Sequence, residues 1–364
     1  MARTNATNFS GALQFPMANA ATDAFKKEDV QTLALAVDQH DHSTGKGPPV
    51  SAGSIPNGTI TSAMIQDGTI ATADLANNAV TNQKLGTDTA RLNLLTNGGF
   101  EIWQRGNGPF TANGVYAADR WWVLPTAPTT TSVTRDTANV DGGSIACAAV
   151  VVGAYAAESY LSQRVEDFTQ LRGRTITFSI RGRSSVANGL RLAIGQTSGS
   201  TFGAYHSGGG AYETLSVTVA IAANTSIVQC NVSFDANGTY YLDNAMLVVG
   251  SVAADYAPLH PADDLARCQR YYEVITGNFG FPMLTGTAAA TSQGYGQSMG
   301  FKAAKPVSPT VTKIGTWTTV NAVQPTTPYT SGWGLYIQTV PPAAGYFQCY
   351  PPDTTAYVTV EANP

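Results

Sequence analysis

The sequence predicts a mainly β chain with a short N-terminal helix, an intertwined decapeptide-repeat stem, a jelly-roll β-sandwich and a small C-terminal β-sandwich. Three observations predict it. An apolar residue recurs every five positions at Ile55, Ile60, Ile65, Ile70, Leu75, Val80 and Leu85. Short alternating stretches separated by turns fill residues 93–258. Beyond 273 the β patterning resumes, punctuated by the Pro-rich turns Lys305-Pro306, Ser308-Pro309, Pro341-Pro342 and Pro351-Pro352.

Residues 1–45 begin as a polar arm and then carry one helix candidate, with Val30, Leu33, Ala34 and Val37 on a single stripe. A helix of about three turns is marginal alone in water, so it is expected to pack on copies of itself or on a docking partner. The Gly/Pro/Ser stretch at 45–54 reads as a linker or bend.

The five-residue beat of 46–92 fits neither regular element. Five residues rotate a helix by about 140° and move a strand position to the opposite face, so the backbone must turn between beats. Asn57-Gly58, Asp67-Gly68 and Asn77-Asn78 supply turn chemistry every ten residues, because Gly and Asn accept positive φ cheaply. Three such units bury too little surface alone. Three chains wrapped about one axis would bring the Ile, Leu and Val positions together and pair backbone groups between chains. The rival is a pentapeptide-type β-helix within one chain, which the small residues Gly53, Gly58, Ala63, Gly68 and Ala73 favour. Seven beats would make fewer than two square coils of it.

Residues 93–258 offer strands at 146–152, 160–165, 175–182, 190–195, 215–221, 227–234 and 240–249. In the third, Ile176, Phe178 and Ile180 share one face and Thr177, Ser179 and Arg181 the other. About 165 residues suit a jelly roll of eight to ten strands. A linking helix is expected over 259–272: Pro261 fits the first turn, Asp263 and Asp264 the positive dipole end, and Arg267 and Arg270 the negative end, with Leu265, Cys268 and Tyr272 as its apolar stripe. Residues 273–364 complete the chain as a C-terminal β domain.

Composition mainly excludes. Charged residues are 12% and the net charge is −4, with 20 Lys and Arg spread along 364 residues. That gives no electrostatic footprint for nucleic acid or anionic lipid. No stretch suits a signal peptide or a membrane span, so no membrane insertion is expected. Cys147, Cys230, Cys268 and Cys349 lack metal-type spacing and read as buried thiols, which fits assembly in a reducing cytosol. No G-x-S-x-G elbow, Walker loop, H-E-x-x-H or nucleotide fingerprint occurs. The pairs Glu166/Asp167 and Asp263/Asp264 are adjacent in sequence and point apart, unlike a glycosidase pair. No enzyme is expected.

Three stretches carry a family resemblance: the repeat row IPNGTITSAMIQDGTIATADLANNAVTNQKL, the opening NLLTNGGFEIWQRG with ADRWW, and the exit YYLDNAMLVVGSVAADYAPLHPADDLARCQRYYEV. They resemble bacteriophage tail-fibre and virion-appendage proteins with a carbohydrate-binding-module-like jelly roll. FKAAKPVSPTVT is similar to a strand of their terminal domains. The resemblance implies a homotrimer assembled in the bacterial host cytoplasm and carried on the virion. Residues 1–45 would dock on a phage tail, collar or capsid protein, and distal β domains would touch host surface glycan. A purely structural head or collar fibre, a capsid decoration and a virion-bound glycan hydrolase are the alternatives.

The resemblance also implies metals. His40 and His42, on a three-fold axis, would present six nitrogens to an axial transition metal. The simpler reading is that they cap the arm helix. Glu101, in the turn Asn97-Gly98-Gly99-Phe100-Glu101, and Asp243 occupy positions where such jelly rolls hold a structural calcium, although the simpler reading is a turn and a solvated carboxylate at a sheet end.

A glycan site needs aromatic faces beside hydrogen-bonding groups. The candidates are Trp103, Trp121, Trp122, Tyr155 and Tyr205 in the sandwich and Trp333, Tyr336 and Tyr346 beyond it. Adjacent Trp121 and Trp122 cannot both face inward on a strand, so one is expected to be exposed or at an interface. Residues 202–210 read as an aromatic-bearing loop or a long strand connection.

Overall fold

The computed structural model describes residues 56, 58–76, 79–80, 92–276, 284–291 and 293–363. The arm helix, His40, His42, Ile55 and Leu85 lie outside them. The chain divides into two compact units, 1–77 and 78–364.

In the first unit the backbone turns between beats. Thr59 N donates to Pro56 O and Thr69 N to Gln66 O, across turns in which Gly58 and Gly68 have φ of 81° and 79°. Each turn leads into a single 3-10 turn, Ser62–Met64 and Thr72–Asp74, and Asp74 Oδ2 accepts the Ala71 N–H at 2.9 Å. Ile60, Met64, Ile65, Ile70 and Leu75 are 41% to 66% exposed. Local hydrogen bonds thus satisfy the backbone while the large apolar side chains stay uncovered.

The second unit is mainly β. Ten strands form two antiparallel five-stranded sheets: β1 Trp122–Leu124, β2 Thr130–Asp136, β3 Cys147–Gly153, β4 Ser159–Arg164, β5 Thr175–Ser184, β6 Leu190–Gln196, β7 Gly199–Tyr205, β8 Tyr212–Ala220, β9 Val228–Phe234 and β10 Gly238–Val249. The sheet orders are β1-β4-β9-β6-β7 and β2-β3-β10-β5-β8, a jelly-roll β-sandwich. Alternation built the core: Leu161, Val232 and Leu192 from one sheet meet Val150, Phe178 and Leu242 from the other. The seven strands expected from sequence are all present, and β1, β2 and β7 are additional. Residues 199–205 are therefore an edge strand, and of the expected loop or strand connection at 202–210 only 206–210 serve as the connection to β8; the strand's side chains are almost all exposed, so no apolar alternation marks it.

The turn Asn97–Glu101 ties the sandwich together. Asn97 holds φ at 54°, its Oδ1 accepts the Glu101 and Ile102 N–H groups at 3.0 Å, and its Nδ2 donates to Ile102 O and Asp119 O. Gly98 is required by crowding, since a Cβ there would lie 2.2 Å from Ala245 O.

Helix α1 spans Pro261–Gln269, with Pro261 in its first turn beside Asp263 and Asp264. It stops three residues short of Tyr272, which opens β11 Tyr272–Thr276 and is not part of a helical stripe. The reason is pairing at the chain's end: Tyr271 O accepts Ala362 N at 2.7 Å, and β11 joins β19 Tyr357–Glu361. Three three-stranded sheets follow. β14 Thr310–Ile314 completes β11-β19-β14; β12 Leu284–Ala288, β18 Gly345–Tyr350 and β15 Thr318–Val320 form the second; β13 Tyr295–Gly300, β17 Gly334–Thr339 and β16 Thr326–Thr330 form the third. They wrap a core of Trp317, Ile337, Phe347, Val358 and Val360.

A charged aromatic junction joins the two β bodies. The Arg105 guanidinium lies 3.6 Å from the Tyr272 ring centre and pairs with Glu361; Arg120 lies 3.7 Å from the Tyr271 ring centre and bonds Asn363. Glu166 accepts from Arg270 and from the Tyr271 hydroxyl. Within the C-terminal body, buried Lys305 pairs with buried Glu273 at 2.9 Å.

Candidate functional site

The site is the outer face of the sheet β1-β4-β9-β6-β7. Leu161, Val232 and Leu192 point into the core, so their strand neighbours point away from it. Register aligns those outward residues into rows. One row runs Trp122, Ser162, Asn231, Ala193, Phe202; a second runs Tyr160, Ser233, Arg191, Tyr205; a third runs Arg164, Gln229, Gly195, Ser200. Five strands at about 4.8 Å set the Trp122 and Phe202 backbones roughly 19 Å apart.

The middle of this face is low and polar. Ser162, Asn231, Ala193 and Ser233 are under a tenth exposed although they face away from the core, because longer side chains stand around them. Ser162 Oγ and Gln229 Nε2 both donate to Asn231 Oδ1 at 2.7 Å. Two donors on one oxygen fix the amide orientation. Among the described residues no acceptor takes the Asn231 Nδ2 hydrogens, which leaves a donor on the floor of the trough.

The wall at β6 and β7 is a charged aromatic stack. The Arg191 guanidinium sits 4.0 Å from the Phe202 ring centre and 4.7 Å from that of Tyr205. Arg191 pairs with Asp235 at 2.7 Å and with Glu158. Asp235 also accepts from the Tyr205 hydroxyl at 2.8 Å and Ser233 Oγ at 2.7 Å, while Glu158 accepts from the Tyr160 hydroxyl. Tyr155 belongs to the same cluster: burial and then the nearby Asp235 and Glu158 charges push its hydroxyl above the usual tyrosine range. Both carboxylates are thus engaged by one guanidinium, Tyr160 and Tyr205 are fixed by their hydroxyl bonds to them, and Phe202 packs on the guanidinium.

The sequence candidates separate into groups. Tyr155 and Tyr205 meet at this wall, each more than a third exposed. Trp103 and Trp121 lie in the sandwich core, with indole nitrogens donating to Phe100 O and Asn97 O. Trp122 is 7% exposed, covered by the Tyr116 ring at 5.7 Å and by Arg164. Of the expectation that one of the tryptophan pair would be exposed or at an interface, the exposed alternative is therefore corrected. Arg120 carries φ of 73°, β1 starts only at Trp122, and the two rings point apart into different packed surroundings. Trp333, Tyr336 and Tyr346 lie in the C-terminal body, away from this trough. Arg191, Asn231 and Ser162 were missed, and Phe202 entered only as the start of the aromatic-bearing segment 202–210.

Glu101 and Asp243 each take backbone donors. Glu101 Oε1 accepts Ile145 N at 3.4 Å, and Asp243 accepts the Asp141 and Asn244 N–H groups at 3.0 and 2.8 Å. Burial pushes the Asp243 carboxyl up to about 7. Among the described residues, no three His, Cys, Asp or Glu side chains converge to hold a metal ion. The four cysteines are free and buried.

No family model and no curated protein matches the chain. Solved structures are similar over part of it, among them the following three. The CBM22-1 xylan-binding domain of Xyn10C from Paenibacillus barcinonensis is 15% identical, with 45% of this chain and 100% of that one covered at a TM-score of 0.32. The enzymatically active domain of tailspike protein 4 from bacteriophage CBA120 is 14% identical, with 43% of this chain and 21% of that one covered at 0.31. The family 11 carbohydrate-binding module of Clostridium thermocellum, in complex with a β-1,3-1,4-mixed-linked tetrasaccharide, is 11% identical, with 39% and 96% covered at 0.28.

Proposed function

We propose that this chain is a structural fibre protein of a bacteriophage virion that mediates host adsorption by binding surface glycan in the trough of the jelly roll. The observation that carries the binding role is the arrangement itself. A low floor with a spare amide donor at Asn231 lies beside Phe202 and Tyr205, whose rings are braced from behind by Arg191. A sugar presents C–H faces and hydroxyl rims, which such a pairing of rings and amides satisfies.

The fibre role rests on the sequence resemblance, with assembly supported by the uncovered apolar beat of the first unit. Three copies wrapped about one axis would cover Ile60, Ile65, Ile70 and Leu75. Three-fold valency then multiplies weak individual contacts. Residues 1–45 would dock on the virion. Glu158 and Asp235 are already held by Arg191, so they serve as braces in this reading and not as an acid and base for hydrolysis.

The test is a printed array of bacterial surface oligosaccharides probed with the full chain. Wild type is expected to bind a subset, and Phe202→Ala and Tyr205→Ala to lose about tenfold, or ~1.4 kcal/mol each. Unchanged binding by both variants would refute the site. Release of reducing ends would replace the binding reading with hydrolysis.

A further inference from the structure

The third C-terminal sheet turns an unusual face outward. Leu335, Ile337 and Thr339 of β17 are buried, so Tyr336 and Gln338 point away from the core. On neighbouring β13 the residues beside them are Gly296 and Ser298, continued by Gly294 before the strand and Gly300 at its end. These glycines let the larger side chains lie flat. A Cβ on Gly296 would sit 2.6 Å from Tyr336 Cζ and 2.7 Å from its hydroxyl, and one on Gly294 would sit 2.8 Å from Gln338 Nε2. The half-buried Tyr336 ring therefore rests on the β13 backbone, on the side of the sheet away from the core.

Tyr329 extends this shelf from β16, its ring centre 6.1 Å from that of Tyr336 and the two planes at 52°. Tyr329 is 71% exposed, and Trp333, in the turn between β16 and β17, is 77% exposed. Gln338, Ser298 and Thr326 supply amide and hydroxyl groups around the rings. Strands β13, β16 and β17 contain no Asp, Glu, Lys or Arg, so the shelf matches an uncharged ligand.

We propose that this shelf is a second glycan-binding platform, for a neutral pyranose stacked on Tyr336 with its hydroxyls met by Gln338 and Ser298. It extends the glycan-binding reading to a second place in the chain and stands on its own geometry. A platform in each β body would let one chain hold a polysaccharide at two points, which raises residence without a new class of contact.

The experiment uses the full chain on an array of neutral and uronate-bearing oligosaccharides. Wild type, the groove variant Phe202→Ala/Tyr205→Ala, and that variant with Tyr336→Ala or Tyr336→Phe are compared, with thermal melting and light scattering on each. The expected result is residual binding of neutral spots by the groove variant, lost at least tenfold on adding Tyr336→Ala and largely kept with Tyr336→Phe, which preserves the ring. The proposal is overturned by residual binding that Tyr336→Ala leaves unchanged, by residual binding confined to uronate spots, or by complete loss in the groove variant. A fall in mass on Tyr336→Ala would also overturn it and assign the face to contact between copies of the chain. Failure of the trough itself would read differently, as wild-type and groove-variant arrays that coincide.

Discussion

Removing Arg191 should damage both stability and binding, and its surroundings set the size of the effect. Arg191→Ala deletes a guanidinium whose side chain is 18% exposed, leaving Asp235 at 7% and Glu158 at 34% as neighbouring unpaired carboxylates. Breaking a fully buried pair costs about 3–5 kcal/mol, and the partial exposure of Glu158 lowers the ionic share to about 2 kcal/mol. Two lost ring contacts add roughly 0.5 kcal/mol each, giving a total of about 3 kcal/mol. In urea denaturation with a slope of about 3 kcal/mol/M, the midpoint should fall by about 1 M. Arg191→Ala/Asp235→Asn should recover part of that loss by removing the most buried orphan charge. A single-variant loss below about 1 kcal/mol, or a double variant no more stable than the single, would refute the bracing role.

Three further outcomes are expected. Glu273→Ala strands the buried Lys305 ammonium and should cost about 3–5 kcal/mol by denaturation, whereas Glu273→Gln should cost less because it keeps an acceptor. The Asp243 carboxyl, raised by burial from the usual carboxylate range to about 7 in the folded chain, binds a proton there that the unfolded chain releases. Its contribution should therefore fall as pH rises from about 4 through about 7, and Asp243→Asn should remove that slope relative to wild type; an identical slope in the two proteins would contradict it. Ile60→Ser/Ile65→Ser/Ile70→Ser should leave β-body melting unchanged while light scattering falls from three times 38.0 kDa to one; an unaltered mass would remove the repeat row from assembly.

Local features were the most legible in the sequence. The turns at Gly58 and Gly68, the sandwich strands with alternating faces, and the start of α1 at Pro261 depend on residues within a few positions of one another. The trough was not legible, because register creates it: Ser162 meets Asn231 across 69 residues, and Arg191 meets Glu158 across 33. Strand β7 escaped notice because an edge strand exposed along both faces has no apolar period to read. Residue type alone pointed to tryptophans for the glycan surface. The argument that Trp121 and Trp122 point apart holds, yet the side away from the core is covered as well, by Tyr116 and Arg164. Likewise nothing in the run Arg270-Tyr271-Tyr272 announces that Arg105, Arg120 and Glu166 will be its partners.

The most direct measurement is a crystal structure of the full chain with the oligosaccharide that the array binds best. Sugar density over Ser162, Asn231 and Gly195, against Phe202 and Tyr205 and within hydrogen-bond reach of Asn231 Nδ2, is the predicted result. An empty trough, with the sugar held on neither β body or on the opposite sheet β2-β3-β10-β5-β8, would contradict the account.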